Sequence, residues 1–389
     1  MSTDSPSDSH QQLSGEFVAA DPERYDDVER KQALINEWLR SRQYEGLVLQ
    51  TPANFSWFTS GAPCPAFSAG EPTAALFITP ESRVVVSNNV DSRALFEIQL
   101  AGLGFLMKER PWHEPRSVLL DDLCRGRRVA CDAALQGAKD ESTRIASLRF
   151  PLERVECQRL RFLGRALAHA VEATGRNLKP GLTEAEIAGE MSHRLVKRGI
   201  IPQRLQVAAD GRLRHYRHWT FSDTPLRHWV VLSAIGSYQG LHASATRVVC
   251  FGQPSDELAQ SFQQAVLLIA TGMHFSQAGS ILASVWEKVR RIYEKTGAPL
   301  EWQLCDQGTV MGYQVCETPL VPRSDYTLSP RTAVWWRPSA GPVQVGETIL
   351  VGEQGYEWLT SADQWPLLQI SVRGHLIPLP DMLIREVPK

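Results

Sequence analysis

From Glu153 onward the chain changes its hydrophobic period, and that change limits it to two kinds of structure in series. Before it, short apolar runs alternate with helical ones. GLVLQ (46–50) reads as a short buried strand, AALFITPESRVVVSNN as two strands joined by the turn Pro80-Glu81-Ser82, and GRRVACD as another strand. Residues 22–43 repeat apolar side chains at helical spacing between charged ones, and DSRALFEIQLAG is helical in the same way. TPANFSWFTSG, with its Asn, Ser and Gly, reads as a break between elements. Strands alternating with helices over the first part of the chain predict an α/β domain.

After Glu153 the pattern lengthens. ERVECQRLRFLGRALAHAVEATGRNL predicts a long amphipathic helix and LKPGLTEAEIAGEMSHRLVKRG a second. The start of the second is well marked: Pro180-Gly181 turns the chain, Thr183 caps the helix, and Glu186 completes a capping box. Strand-like HWVVLSAIG and LHASATRVVCFG follow Gly199, then helices over roughly 255–273 and 279–296, then strands in TAVWWRP, GETILVGEQG and WLT. Helices and antiparallel strands in blocks predict an α+β second domain. The organisation expected is a disordered Ser/Asp-rich tail over 1–20, one domain over 21–152 and another over 153–389. No internal repeat is visible.

Bulk properties remove several functions. A net charge of -2 gives no electrostatic basis for binding nucleic acid or an anionic membrane, and no apolar run is long enough to span a bilayer. The N-terminus lacks the pattern of a secretory signal. Seven cysteines, odd in number and without a CxxC pair, argue against a disulfide framework or a Cys-rich zinc site and for a reducing, cytoplasmic setting.

Four blocks carry a resemblance: PGLTEAEIAGEM, the stretch from RHYRHW to ATRVVCFG, QGTVMGYQVCETP (307–319), and RTAVWWRPSAGPVQVGETILVGEQG. In this order they resemble the pita-bread hydrolases, which include creatinase, aminopeptidase P and methionine aminopeptidase. ANFSWFTSG adds a likeness to the N-terminal domain of the creatinase branch. The resemblance implies a creatinase-like α/β domain followed by a pita-bread α+β domain, and a homodimer. It also implies five metal ligands, two aspartates, a histidine and two glutamates, holding two divalent ions that activate a water. At those positions stand Ser233, Ser244, Thr309, Arg337 and Gly346. None is a strong ligand, and Arg337 brings a permanent cation, so no dinuclear centre and no cofactor is expected. A one-residue slip would substitute Glu347 for Gly346 and restore one ligand.

The resemblance also places a catalytic histidine at His215, and Cys316 where another histidine is usual. His215 is a candidate general base or a pocket histidine kept for packing. Cys316 is a candidate nucleophile or an inert thiol. Glu317 is a candidate acid/base, or the ion-pair partner of an arginine. Arg247 and Arg337 are candidates to clamp an anion, with Tyr313 and Glu347 beside them, and Arg247 equally fits a structural task. Arg337 needs an anionic partner, for which Glu317, Glu347 and a ligand are the choices. Trp219, Trp229, Trp335 and Trp336, from eleven tryptophans in all, line the pocket or fill the core. Three functions follow: a metal-independent hydrolase of a small C–N bond in an anionic substrate; a non-catalytic relative binding a small anion, peptide or protein; and an Xaa-Pro-type metallo-aminopeptidase.

Overall fold

The computed structural model describes residues 21–66 and 70–387, and the expected disordered tail lies outside the described residues. Two compact units divide the chain. The first is built mainly from residues up to Asp140; the second takes Glu141 onward together with Thr51–Trp57 and Gly61–Pro63.

In the first unit, β1 (Gly46–Leu49), β2 (Ala75–Ile78), β3 (Arg83–Asn88), β4 (Leu106–Arg110), β5 (Val129–Cys131) and β6 (Ala138–Asp140) form one sheet in the order β4-β3-β2-β1-β5-β6. Only β2 runs antiparallel to its neighbours. The central strands are buried at every position, as continuous apolar runs require. Leu120 and Leu123 of helix Ser117–Cys124 pack against Val48, Phe77 and Val86. One expectation fails. The supposed break over TPANFSWF is helix Pro52–Phe58, with Ala53, Phe55, Trp57 and Phe58 buried. Proline at a helix start costs no hydrogen bond, and burial of the aromatic residues outweighs the Asn and Ser.

The second unit repeats one construction twice. Helices Arg154–Asn177 and Glu184–Val196 precede β7 (Ile201–Ala209), β8 (Trp229–Tyr238) and β9 (Leu241–Phe251). Helices Asp256–Phe275 and Leu282–Lys295 precede β10 (Gly308–Met311), β11 (Thr318–Pro319), β12 (Ala333–Trp336), β13 (Ser339–Ala340), β14 (Val343–Gln344), β15 (Glu347–Val351) and β16 (Tyr356–Trp358). Each second helix starts on the same scaffold. Gly181 N donates to Leu226 O and Leu226 N back to Leu182 O; Gly279 N donates to Leu328 O and Leu328 N back to Ser280 O. Glu184 N and Ala185 N then bond Thr224 O and Ser222 O, as Leu282 N and Ala283 N bond Tyr326 O and Ser324 O. The two sequences, KPGLTEAE and QAGSILAS, share little beyond the glycine, whose φ is +93° in one and +82° in the other. Backbone geometry repeats where side chains do not, which is why direct inspection shows no repeat. The capping box of Thr183 and Glu186 is present as expected.

Strands β7, β8 and β9 are antiparallel, and β19 (Leu383–Arg385), which follows the hairpin β17 (Leu367–Val372) and β18 (His375–Pro380), adds parallel to β9. A second sheet runs β11-β10-β12-β15-β16. One core joins Val231 and Val248 of the first sheet, Val334, Trp336 and Ile349 of the second, and Phe262, Ile269 and Trp286 of the helices.

A buried charge cluster fastens these parts together. Arg247 of β9 is 1 % exposed. Its Nε and Nη2 donate to Glu172 Oε1 of the long helix at 3.0 and 2.8 Å, its Nη1 to Glu347 Oε1 of β15 at 2.6 Å, and its Nη2 also to Thr360 O at 2.9 Å. The second oxygen of Glu347 accepts from Trp358 Nε1 and the Thr360 hydroxyl. Two carboxylates thus share Arg247, and Glu172 Oε2 also lies 3.9 Å from Arg176 Nη1. Burial pushes the Glu347 carboxyl up to about 7, against the opposing pull of Arg247.

Three variants test this architecture. Removing Arg247 takes their hydrogen-bonded cation from two buried acids, so Arg247→Met should cost about 3–5 kcal/mol in urea unfolding. The folded protein holds the Glu347 proton more tightly than the unfolded chain does, at about 7 against 4.5. This contribution to stability is complete below the unfolded value and is lost as pH rises through 7. Melting temperatures between pH 5 and 8 should therefore fall less steeply in Glu347→Gln than in the parent protein. Gly308 has φ +140°, and a Cβ there would overlap the Trp335 carbonyl oxygen. Gly308→Ala should cost at least ~3 kcal/mol, from strain and overpacking together.

Candidate functional site

The five positions aligned with metal ligands lie on or immediately beside the paired strands of the second unit. Ser233 of β8 stands opposite Thr246 of β9, and Ile235 opposite Ser244. Thr309 of β10 stands opposite Trp335 of β12. Gly346 precedes β15, and its carbonyl accepts from Thr246 N at 2.9 Å. Arg337 follows β12, where its amide donates to Gln307 O at 2.8 Å. Most of their polar atoms are taken up locally. Thr246 Oγ1 donates to Ser233 Oγ at 2.9 Å, and the Thr309 hydroxyl lies 2.9 Å from both the Val310 and Thr318 carbonyls.

The middle of this arrangement is occupied by Trp335. Its ring packs with Ile235 and Met311, with Val315 alongside. A Cβ at Gly346 would sit 2.7 Å from Thr246 Oγ1 and 3.1 Å from Trp335 Nε1, so the bare glycine lets both side chains pack closely against this turn. Trp336, the next residue, points the other way into the core and donates to Ser276 Oγ at 3.0 Å, as strand alternation requires. Trp219 likewise serves packing and donates to Glu184 Oε2 at 2.9 Å, while Trp229 packs at the core edge.

Arg337 is 3 % exposed and stacks on Trp335, its Cζ 4.8 Å from the ring centroid. Its anionic partner is Asp306, Nη1 to Oδ2 at 3.2 Å, rather than Glu317 or Glu347; Nη2 donates to Gln344 Oε1 at 3.1 Å. Asp306 Oδ1 in turn meets His218 Nε2 at 2.7 Å and Cys305 Sγ at 3.5 Å. Burial works against the Asp306 carboxylate, but Arg337 and His218 outweigh it and hold the group below its usual range. Burial pushes the Cys305 thiol up to about 11, against the opposing pull of Arg337. Arg204 of β7 feels burial first and then repulsion from Arg337, both lowering its pKa. Three buried atoms around this stack have no hydrogen-bond partner: Trp335 Nε1, Arg337 Nε and Ser244 Oγ.

The residues singled out as catalytic make no hydrogen bond or ion pair with this stack among the described residues. His215 is exposed after the turn Arg212–Arg214 and lines a cleft of about 530 Å³ with Arg212, Arg214, Arg227, Trp229 and Glu257. Cys316 is exposed. Glu317 is paired with Arg149, and accepts from Gln314 N at 3.0 Å. Tyr313 OH donates to Glu156 Oε1 at 2.7 Å. Arg247 and Glu347 are joined to each other in the buried cluster described above. No hydrogen bond or ion pair among the described residues joins His215 to Cys316, Glu317 or Arg337. The histidine that reaches the Arg337 stack is His218, three residues further on, and Cys305 and Asp306 come with it. The RHYRHW run held both histidines at similar charge density, so its spacing alone gave no reason to prefer the second.

The sequence model of metallopeptidase family M24 matches residues 158–356. Over 220 residues the chain is 25% identical to the probable dipeptidase PepE of Mycobacterium tuberculosis, an alignment that covers 54% of this chain and 58% of that one. The chain thus spans less than two thirds of the length of the curated relatives it matches. Dipeptidase PepE from Mycobacterium ulcerans superposes with a TM-score of 0.76 at 18% identity, covering 96% of this chain and 100% of that one. Xaa-Pro dipeptidase from Bacillus anthracis superposes with a TM-score of 0.74 at 17% identity, covering 92% and 99%. At such identities the superpositions speak for the fold alone. Among the described residues no helix is long and apolar enough to cross a membrane. Strand order, paired halves and a family match over half of the chain agree: this is a pita-bread protein that belongs to metallopeptidase family M24.

Proposed function

We propose that this chain holds a small carboxylate-bearing ligand of peptide character at the Trp335–Arg337 stack, and that it does so without the two metal ions its family name implies. The observation that carries the reading is the pair of buried donors, Trp335 Nε1 and Arg337 Nε, that lack an acceptor. A buried donor left unpaired costs about 1–3 kcal/mol, and a carboxylate supplies acceptors for both. Ser244 Oγ adds a hydroxyl free to donate. The cation is already in place, and Asp306, half exposed, offsets only part of its charge.

The side chains at Ser233, Ser244, Thr309, Arg337 and Gly346 do not fit a pair of divalent ions. They offer neutral hydroxyls, a guanidinium and a bare backbone where anionic oxygens and an imidazole would be needed. A guanidinium a few ångströms from a divalent ion adds repulsion on the order of 8 kcal/mol at an effective dielectric of 20. Metal-independent hydrolysis through His215 is weakened by geometry, since His215 lines a separate cleft. A second reading, hydrolysis of dipeptides, draws support from membership of the M24 family and from the likeness to PepE.

Thermal unfolding separates these readings. A glycyl-proline dipeptide should raise the melting temperature, and its C-terminal amide should not. At a hundred times its Kd a ligand adds ~2.7 kcal/mol to stability. Arg337→Met should abolish the shift, and an equal response to acid and amide would remove the anion site. In the same samples, with Mn²⁺ supplied, release of free proline should stay at background; turnover would establish the peptidase reading instead.

A further inference from the structure

Beyond the stack itself, we propose that His218, Cys305 and Asp306 form a mononuclear site for a borderline-soft divalent ion, with Zn²⁺ the best match. None of the three occupies a position aligned with the family's metal ligands, and the inference does not depend on the ligand reading above.

The three ligand atoms lie within 4.8 Å of one another. An imidazole nitrogen, a thiol sulfur and a carboxylate oxygen make a donor set suited to zinc rather than to magnesium or calcium, which take oxygen ligands. Tetrahedral zinc sets neighbouring ligand atoms roughly 3.3–3.8 Å apart. His218 Nε2 and Asp306 Oδ1, now 2.7 Å apart, would part by about half an ångström to admit the ion. Sγ and Oδ1, at 3.5 Å, already have the required separation.

The layer behind the ligands is built. Arg337, only 4 % exposed at its side chain, holds Asp306 by Oδ2 and leaves Oδ1 turned to the histidine and cysteine. Gln344, itself held by Arg337, directs its amide nitrogen at Cys305 Sγ from 3.6 Å. Donors that orient a carboxylate and a thiolate in this way are the usual outer layer of a metal site. Loss of the Cys305 proton on binding gives one thiolate and one carboxylate against the ion's two positive charges, while Arg337 stays on the far carboxylate oxygen and its repulsion lowers the affinity of the site. His218 is 62 % exposed and Asp306 46 %, so the ion has a path from solvent and a fourth position open to water.

Cobalt(II) is the probe. Chelator-treated full-length protein titrated with Co²⁺ should take up one ion per chain. It should develop a thiolate-to-cobalt charge-transfer band in the near ultraviolet and visible bands of tetrahedral intensity, all reversed by Zn²⁺. Cys305→Ser should remove the charge-transfer band, and His218→Gln should weaken cobalt binding by at least about tenfold. His218→Gln alters an exposed side chain, so a folded variant is expected, checked by circular dichroism. Cys316→Ser, at the exposed thiol of the neighbouring loop, should leave every band in place. A band that survives in Cys305→Ser, one that vanishes in Cys316→Ser, or cobalt spectra of octahedral weakness without charge transfer would each overturn the site. In that outcome His218–Asp306 is a surface ion pair only.

Discussion

A single guanidinium holds the second unit together. Among the described residues Arg247 alone carries positive charge to both Glu172 and Glu347, and through them it ties the long helix, β9 and β15. Such a cluster adds little net stability compared with apolar packing, because desolvating three charges is costly. Its value is directional. The guanidinium and the two carboxylates are matched atom for atom, several of them to two partners each, which favours one register of helix, strand and the loop at Thr360. That register in turn sets Gly346, one residue before Glu347, against Thr246.

With the frame fixed, strand alternation distributes the remaining roles. Trp336 goes to the core and Trp335 to the opposite face, where Arg337, two residues along, lies over it. The guanidinium is buried, so it draws Asp306 toward itself, and Asp306 draws His218. Cys305 is carried in by its peptide bond to Asp306. A chain of contacts thus leads from the strand interior to solvent, and each link is forced by the charge of the one before.

Much of this was legible in the residues, and the exceptions have physical reasons. Thr183 and Glu186 announce a helix start by local chemistry, and the structure uses both. Strands β8, β9, β12 and β15 follow from apolar runs between turns. Helix Pro52–Phe58 was hidden because its order derives from burial of Phe55 and Trp57, a tertiary effect. The repeated halves were hidden because what repeats is a backbone bond pattern around Gly181 and Gly279. His218 rather than His215 meets Asp306 because the chain turns again between them, Trp219 N bonding Tyr216 O, and nothing in the RHYRH spacing encodes that turn. Asp306 and Cys305 lie just before the recognisable motif, so their closeness to Arg337 emerges only when β10 and β12 pair.

Gly346 has a consequence for how such a protein can change over generations. With Trp335 in place, any side chain at 346 meets the indole nitrogen and the Thr246 hydroxyl at once. A side chain there would have to turn the Thr246 hydroxyl aside and shift the indole by a few tenths of an ångström, so the position is closed to substitution without local repacking of both neighbours.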